Sequence, residues 1–235
     1  MRGNSRRRER QNAESLCRHE VLLLSRKGQA LERKGHFPEA EEAYRKTLGI
    51  DPLNGVALKG LARISLHRGE YKGGAEALEK FLTVHPSNDW LLYQLAAAYR
   101  GLRRRDKAFK VLHKLARDYP SHAQGLTRFG DACLERKDFD RAADVFRRAL
   151  RLESRNIYAL RGLASALRGR KKYREAIAAW QEVLKEKPRD RRALVRLGEA
   201  YAREGQEKSA RRAYSLALEI NPADRYALDG MARLS

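Results

Sequence analysis

The chain has 235 residues, of which 51 are lysine or arginine and 30 are aspartate or glutamate, so its formal net charge is +21 at pH 7. Its two cysteines, Cys17 and Cys133, lack the spacing of a zinc site and are expected to be reduced thiols, and no apolar run is long enough to cross a membrane. The chain has no glycine-rich phosphate loop, nucleophile elbow or paired histidines of a zinc hydrolase, so we expect no catalytic residue, no metal and no cofactor.

Residues 1–11 are the first predicted element, a basic arm. The arm contains five arginines and no apolar residue after Met1. A segment of this composition cannot bury enough apolar surface to fold by itself, so we expect it to be disordered. The apolar run Val21–Leu24 that follows is shorter than the roughly 7 to 15 residues of a secretory signal, and we expect a cytoplasmic protein.

The segment 12–224 is predicted to be a repeat array. From Val21 onward a 34-residue pattern recurs without insertion, in the ranges 21–54, 55–88, 89–122, 123–156, 157–190 and 191–224. The eighth and twentieth places of every repeat hold glycine or alanine, and the thirty-second place holds proline in all repeats but one, which has Ser154. Because proline is incompatible with a helix interior, it closes each repeat. A pattern of fixed period predicts units that stack on one another.

Each repeat is predicted to form two antiparallel helices. In the fifth repeat, apolar residues recur at i, i+3, i+4 and i+7 within residues 160–167, and the spacing returns within residues 173–183. The turns between the two helices contain Gly35, Gly69 and Gly205, and glycine can adopt a positive φ at the end of a helix. Residues 225–235 repeat the pattern of a first helix alone and predict either a capping helix on the sixth pair or the first helix of a longer array.

The length of the pattern and its small eighth and twentieth places resemble the tetratricopeptide repeat family, and the resemblance covers residues 21–224. It implies an all-α fold, a right-handed α-solenoid of stacked antiparallel helix pairs. It also implies a protein-interaction scaffold, in which the first helices line a concave surface that binds an extended or helical segment of another protein.

The resemblance places the candidate binding residues at the second, fifth, sixth, ninth, twelfth and thirteenth places of the repeats. Eleven basic and four acidic side chains occupy these places. The candidate partner-binding residues are Lys59, Arg63, Trp90, Tyr93, Gln94, Gln124, Arg128, Tyr158, Arg161, Arg192 and Arg196. Arginine can grip carboxylates with two hydrogen bonds, and aromatic side chains supply contact area at little entropic cost. We therefore predict a cationic groove that binds an acidic peptide or helix of a partner protein.

The aromatic residues at the second place could be explained by packing within the fold and not by partner binding. Tyr158, and Tyr226 at the second place of the capping helix, are the ones more readily explained by partly buried packing against the neighbouring repeat. Packing against the neighbouring repeat is expected to explain Trp90 less well, because Trp90 has a second aromatic residue, Tyr93, one turn further on.

One subtype of the family clamps the C-terminal carboxylate of chaperones with lysine, arginine and asparagine side chains at set places. The corresponding residues are Lys59, Arg63, Gln94, Gln124 and Arg128, and only Lys59 and Arg128 match. The asparagines are missing, so we do not expect specific chaperone docking.

Other functions remain open at the level of sequence. The same arginines and aromatics could bind RNA or single-stranded nucleic acid through phosphate contacts and base stacking. The array could instead be a structural spacer that self-associates, although a monomer is favoured. Basic turns such as residues 103–105 and 168–172 are also compatible with a simple solvated edge, and we expect no membrane partner.

Overall fold

The computed structural model describes the backbone of residues 2–234 and the side chains of residues 14–234. Over this part of the chain it contains thirteen α-helices and no strand. The helices are α1 (Arg2–Arg33), α2 (Phe37–Ile50), α3 (Gly55–His67), α4 (Tyr71–Val84), α5 (Asp89–Gly101), α6 (Arg105–Asp118), α7 (Ala123–Glu135), α8 (Phe139–Leu152), α9 (Ile157–Gly169), α10 (Tyr173–Glu186), α11 (Arg191–Arg203), α12 (Glu207–Ile220) and α13 (Arg225–Ala232). The chain divides into two compact units, an N-terminal unit Met1–Val111 and a C-terminal unit Leu112–Ser235.

The first helix extends into the segment predicted to be a basic arm. The backbone of α1 is helical from Arg2 to Arg33, which includes most of residues 1–11. The side chains of residues 1–13 lie outside the described residues, so the disordered arm stays a prediction. Among the described residues, none of the helices combines the length and the apolar composition that crossing a membrane requires.

The helix bounds follow the 34-residue pattern. From the second repeat on, each first helix begins at place one and has 13 residues, and each second helix begins at place seventeen and has 14. In the N-terminal unit, consecutive helices pack on one another from α1 to α5, and in the C-terminal unit they do so from α7 to α13. The expected capping helix is present as α13, which packs against both α11 and α12 and buries Ala227 completely.

The last residue of each repeat is the N-cap of the next first helix. Its side chain accepts a hydrogen bond from the backbone N–H three residues further on. The six capping residues are Asn54, Asn88, His122, Asn156, Asp190 and Asp224. A cap of this kind satisfies a backbone donor that has no partner within the helix, and it stabilises a helix by about 1 kcal/mol. Asparagine or aspartate fills this place in five of six repeats, a regularity that was not among the predictions made from the sequence.

The turns inside the repeats have the backbone conformation that the glycines predict. Gly35, Gly69 and Gly205 have φ angles of 81°, 77° and 77°. The equivalent residues in the other three repeats are Arg103, Lys137 and Lys171, with φ angles of 57°, 60° and 59°. The repeat therefore imposes a left-handed residue at this place even where the side chain disfavours it.

A large side chain at place twenty-four packs between two first helices. The ring of Tyr44 lies between Gly28 of its own repeat and Gly60 of the next. A methyl group at Gly28 would lie 2.6 Å from Cε1 of Tyr44, and one at Gly60 would lie 2.2 Å from Cε2. The arrangement recurs at Phe146 between Gly130 and Gly162, and at Tyr214 between Gly198 and Gly230. The small residues are thus required where the backbone meets a ring, which confirms the small eighth place predicted from the sequence.

Replacing Lys171 with glycine should stabilise the protein, because it removes the steric cost of a left-handed lysine. We expect the free energy of unfolding to rise by about 0.5–1 kcal/mol, measured by urea denaturation. The matched variant Gly205→Ala should lower it by a similar amount. Destabilisation by Lys171→Gly would contradict the assigned turn.

Replacing Gly130 with alanine should destabilise the protein by about 1–3 kcal/mol, because the new methyl group would lie 2.6 Å from Cζ of Phe146. Gly49 in α2 is the control, since a methyl group there would meet nothing within 4 Å. Gly49→Ala should raise the free energy of unfolding by about 0.5 kcal/mol, because alanine is the better helix former. Equal effects of the two variants in urea denaturation would rule out the proposed packing.

Candidate functional site

The predicted site residues all lie on first helices, five in the N-terminal unit and six in the C-terminal unit. The N-terminal unit contains Lys59, Arg63, Trp90, Tyr93 and Gln94, and the C-terminal unit contains Gln124, Arg128, Tyr158, Arg161, Arg192 and Arg196. Within each unit, same-place residues of successive repeats lie on the same face of the first helices, and this face is called the first-helix face of that unit.

Arg63 is part of a structural ion pair. Its Nε and a terminal nitrogen both donate to the carboxylate of Glu32 in α1, and the buried hydroxyl of Tyr44 donates to the same carboxylate over 2.8 Å. Burial, together with the hydrogen bond to Glu32, raises the pKa of Tyr44 above its ordinary value, and the same carboxylate raises the pKa of Arg63. The Glu32 side chain is only 8% exposed. Arg63 therefore links the first two repeats and carries a charge that is already neutralised.

Trp90 is more enclosed than the sequence analysis expected. The side chain is half-buried against the apolar cluster that contains Leu91 and Leu95, and the Nζ atom of Lys59 lies 4.6 Å from its ring centroid. Tyr93 and Gln94 are also half-buried. The expectation that Trp90 would be less involved in packing than Tyr158 and Tyr226 was wrong, because its ring packs against this buried apolar cluster whereas the two tyrosines are exposed. Lys59 covers part of what remains exposed.

Most predicted cations of the C-terminal unit also have acidic partners. Arg161 pairs with Asp190, Arg196 pairs with Glu199 over 2.8 Å, and Arg128 lies 3.5 Å from Asp131. Glu199 also accepts from Arg168 over 3.3 Å. The acidic count made from the sequence omitted the N-cap place, which supplies Asp190. The first-helix face is consequently less cationic than that count implied.

The second places of α7, α9, α11 and α13 form an exposed row in the C-terminal unit. The members of this second-place row are Gln124, Tyr158, Arg192 and Tyr226. Tyr158 is 69% exposed and Tyr226 is 67% exposed, so neither is explained by packing within the chain. Arg192 is exposed and makes no ion pair with any of the described residues. The row thus presents two open aromatic rings and a cation with no acidic partner.

The described residues offer binding groups rather than reactive ones. No set of three or more His, Cys, Asp or Glu side chains within the described part of the chain could hold a metal ion. Cys133 is fully buried, and burial raises the pKa of its thiol to about 11, so it is protonated at neutral pH. This agrees with a packing role. Cys17 is exposed on α1.

Comparison with known proteins supports the fold. Two family models described as tetratricopeptide repeat match the chain, one over residues 5–156 and the other over residues 161–225. A search of curated proteins returned no match.

Several solved structures resemble this one. MamA from Desulfovibrio magneticus RS-1 is 20% identical, with 73% of this chain and 97% of that chain covered and a TM-score of 0.68. YrrB, described as a TPR protein with an unusual peptide-binding site, is 18% identical, with coverage of 82% and 99% and a TM-score of 0.75. PilF from Pseudomonas aeruginosa is 19% identical, with coverage of 92% and 99% and a TM-score of 0.71. These similarities confirm the predicted fold class, an α-solenoid of stacked helix pairs.

Replacing Glu32 with alanine should destabilise the protein by about 1–3 kcal/mol, because it leaves the buried Tyr44 hydroxyl without its acceptor. Glu42→Ala is the control, since Glu42 pairs with Lys46 on an exposed surface of α2 and such pairs contribute little. Chemical denaturation of both variants would measure the difference. If Glu32→Ala changed stability no more than Glu42→Ala, Arg63 would have to be regarded again as a cation available to a partner.

Proposed function

Because this chain belongs to the tetratricopeptide repeat family, whose members generally mediate protein–protein interactions, we propose that it is a scaffold that captures a segment of a partner protein. The second-place row carries the proposal. Two tyrosine rings about two thirds exposed lie on the first-helix face, and an exposed arginine occupies the same place on the helix between them. Exposed tyrosine and arginine are the side chains most often found at the energetic centres of protein interfaces.

The chemistry of the row favours a partner segment with both apolar and acidic side chains. A tyrosine ring supplies apolar area with only two rotatable side-chain bonds, and its hydroxyl can still meet a polar group. Arg192 can form two parallel hydrogen bonds to a carboxylate, as a guanidinium is planar and always charged. Since Arg128, Arg161 and Arg196 already have acidic neighbours, Arg192 is the predicted site cation most available to a partner in this unit.

The ion pairs weigh against nucleic acid as the partner. Binding to single strands combines stacking platforms with a strip of cations that neutralise successive phosphates. The exposed tyrosines could serve as platforms. However, in the C-terminal unit carboxylates already lie beside Arg161, Arg168 and Arg196, so these arginines do not form a strip of cations open to successive phosphates. A protein segment therefore accounts better for the arrangement, and members of this family are typically non-enzymatic scaffolds.

The proposal predicts that a double variant, Tyr158→Ala with Tyr226→Ala, loses its partner. Tagged protein would be used for affinity purification after nuclease treatment, and the bound segment would be mapped and made as a peptide. We expect the peptide to bind the double variant at least about tenfold more weakly than the unchanged protein, because truncating an interface tyrosine typically costs more than 1 kcal/mol. Leu152→Ala, an exposed apolar residue on α8, is the control and should bind normally.

Two results would contradict the proposal. One is equal affinity of the double variant and the Leu152→Ala control for the mapped peptide. The other is recovery of nucleic acid from untreated lysate together with loss of every bound protein after nuclease treatment. In that case the logarithm of the affinity for nucleic acid should fall steeply and linearly with the logarithm of the salt concentration.

A further inference from the structure

The corner between α10 and α11 forms a strongly basic depression. Residues 187–190 connect the two helices, and together with the first two residues of α11 and one side chain of α9 they line a depression of about 710 Å³. Its charged lining consists of five cations, Arg161, Lys187, Arg189, Arg191 and Arg192, and one carboxylate, Asp190. This α10–α11 corner is contiguous with the second-place row, since Arg192 belongs to both.

Two of the five cations are committed to the fold. Arg161 pairs with Asp190, whose other oxygen caps α11 by accepting from the N–H of Ala193 over 3.3 Å. Arg191 pairs with Asp224, which is buried and caps α13. Lys187, Arg189 and Arg192 form no ion pair with any residue in the described part of the chain. Three cationic side chains therefore border one depression without an internal counter-charge.

The repeat architecture does not require this charge. In the corners of the other repeats, places thirty-one, thirty-three, one and two together hold at most one lysine or arginine. In the α10–α11 corner the same four places hold Lys187, Arg189, Arg191 and Arg192. All corners share the turn and the cap, so capping and turn geometry do not explain why Lys187, Arg189 and Arg192 are basic here, whereas Arg191 pairs with the buried Asp224.

The arrangement fits an anion with more than one charge. Asp190 and Asp224 each pair with one arginine of the depression. If a ligand carboxylate did the same, it would neutralise only one of the three unpaired cations. A phosphate monoester carries about −1.5 to −2 charges at neutral pH and has three strong acceptor oxygens. Arginine binds phosphate oxygens with two parallel hydrogen bonds, and lysine adds a compact positive charge.

We propose that the α10–α11 corner binds the phosphate group of a phosphorylated serine or threonine in the partner segment. The proposal rests on the proposed function, because the phosphate would be held beside the row that holds the segment. Phosphorylation would then switch binding on, by supplying the multiply charged anion for Lys187, Arg189 and Arg192.

The first test is a titration of the full chain with inorganic phosphate, followed by NMR of the arginine side-chain Nε–H groups. We expect saturable shifts at Arg189 and Arg192 that sodium chloride of equal ionic strength does not cause. The backbone N–H groups of residues 189–193, which can be observed in every variant, should shift as well, and these backbone shifts should disappear in the triple variant Lys187→Gln, Arg189→Gln and Arg192→Gln. The control triple variant Arg151→Gln, Lys208→Gln and Arg212→Gln removes the same charge from exposed sites of the same unit and should retain them. Equal shifts with chloride, or equal loss in both variants, would overturn the proposal.

The second test separates the phosphate group from other acidic probes. Peptides of sequence Gly-Ser-X-Ser-Gly with phosphoserine, glutamate or serine at X, and a short oligothymidylate, would be titrated in the same way. The phosphoserine peptide should bind at least about tenfold more tightly than the glutamate peptide, which corresponds to about 1.4 kcal/mol. Equal binding of the two peptides, or tighter binding of the oligothymidylate, would refute a phosphoprotein ligand.

The two proposals fail in different ways. If a mapped partner segment depends on Tyr158 and Tyr226 but its affinity is indifferent to phosphorylation and to the triple variant, the phosphate site is wrong and the scaffold stands. If phosphate saturates the corner but no protein segment binds the second-place row, the scaffold and its phosphorylated partner are both wrong.

Discussion

In the first, fourth and sixth repeats, the stacking depends on the contact between the aromatic side chain at place twenty-four and the glycines on either side of it. Tyr44 touches the backbone at Gly28 within its repeat and at Gly60 in the next, so a single ring sets both the spacing inside a pair and the spacing between pairs. Full burial of a side chain of this size contributes about 1.5–3 kcal/mol. Because these interior contacts position the first helices, the outward places on those helices are free to vary in sequence. The second-place row is one result of that freedom.

Several charged side chains on the first helices form ion pairs and helix caps that stabilise the fold. Glu32 holds Arg63 and the hydroxyl of Tyr44, which ties the surface charge to the buried ring. Asp190 and Asp224 cap helices and hold Arg161 and Arg191 at the same time. A high net charge on the whole chain is therefore a poor guide to where a partner binds. The informative residues are cations that cluster in one place and form no ion pair with any of the described residues.

Local features could be predicted from the sequence, whereas contacts between repeats could not. The helix pairs, the turn glycines and the small eighth place follow from spacing within one repeat, and the structure confirms them. The second glycine, at Gly60, meets a ring sixteen residues earlier in the chain, and only a three-dimensional structure relates the two positions. The Glu32–Arg63 pair spans two repeats and was missed for the same reason. The burial of Trp90 depends on how its ring lies against neighbouring helices, which place number alone does not determine.

The α10–α11 corner is best understood through the energy of its own charges. Asp190 caps α11, and the corners of the third and sixth repeats form the same turn with neutral residues at the places of Lys187, Arg189 and Arg192. Like charges that lie close together repel one another and disfavour the compact state. Lys187, Arg189 and Arg192 thus repel one another in the free protein, since none of the three forms an ion pair with any of the described residues. An anion bound among them would turn the net electrostatic interaction from repulsive to attractive. The clustering that opposes folding of the free protein would therefore favour the complex.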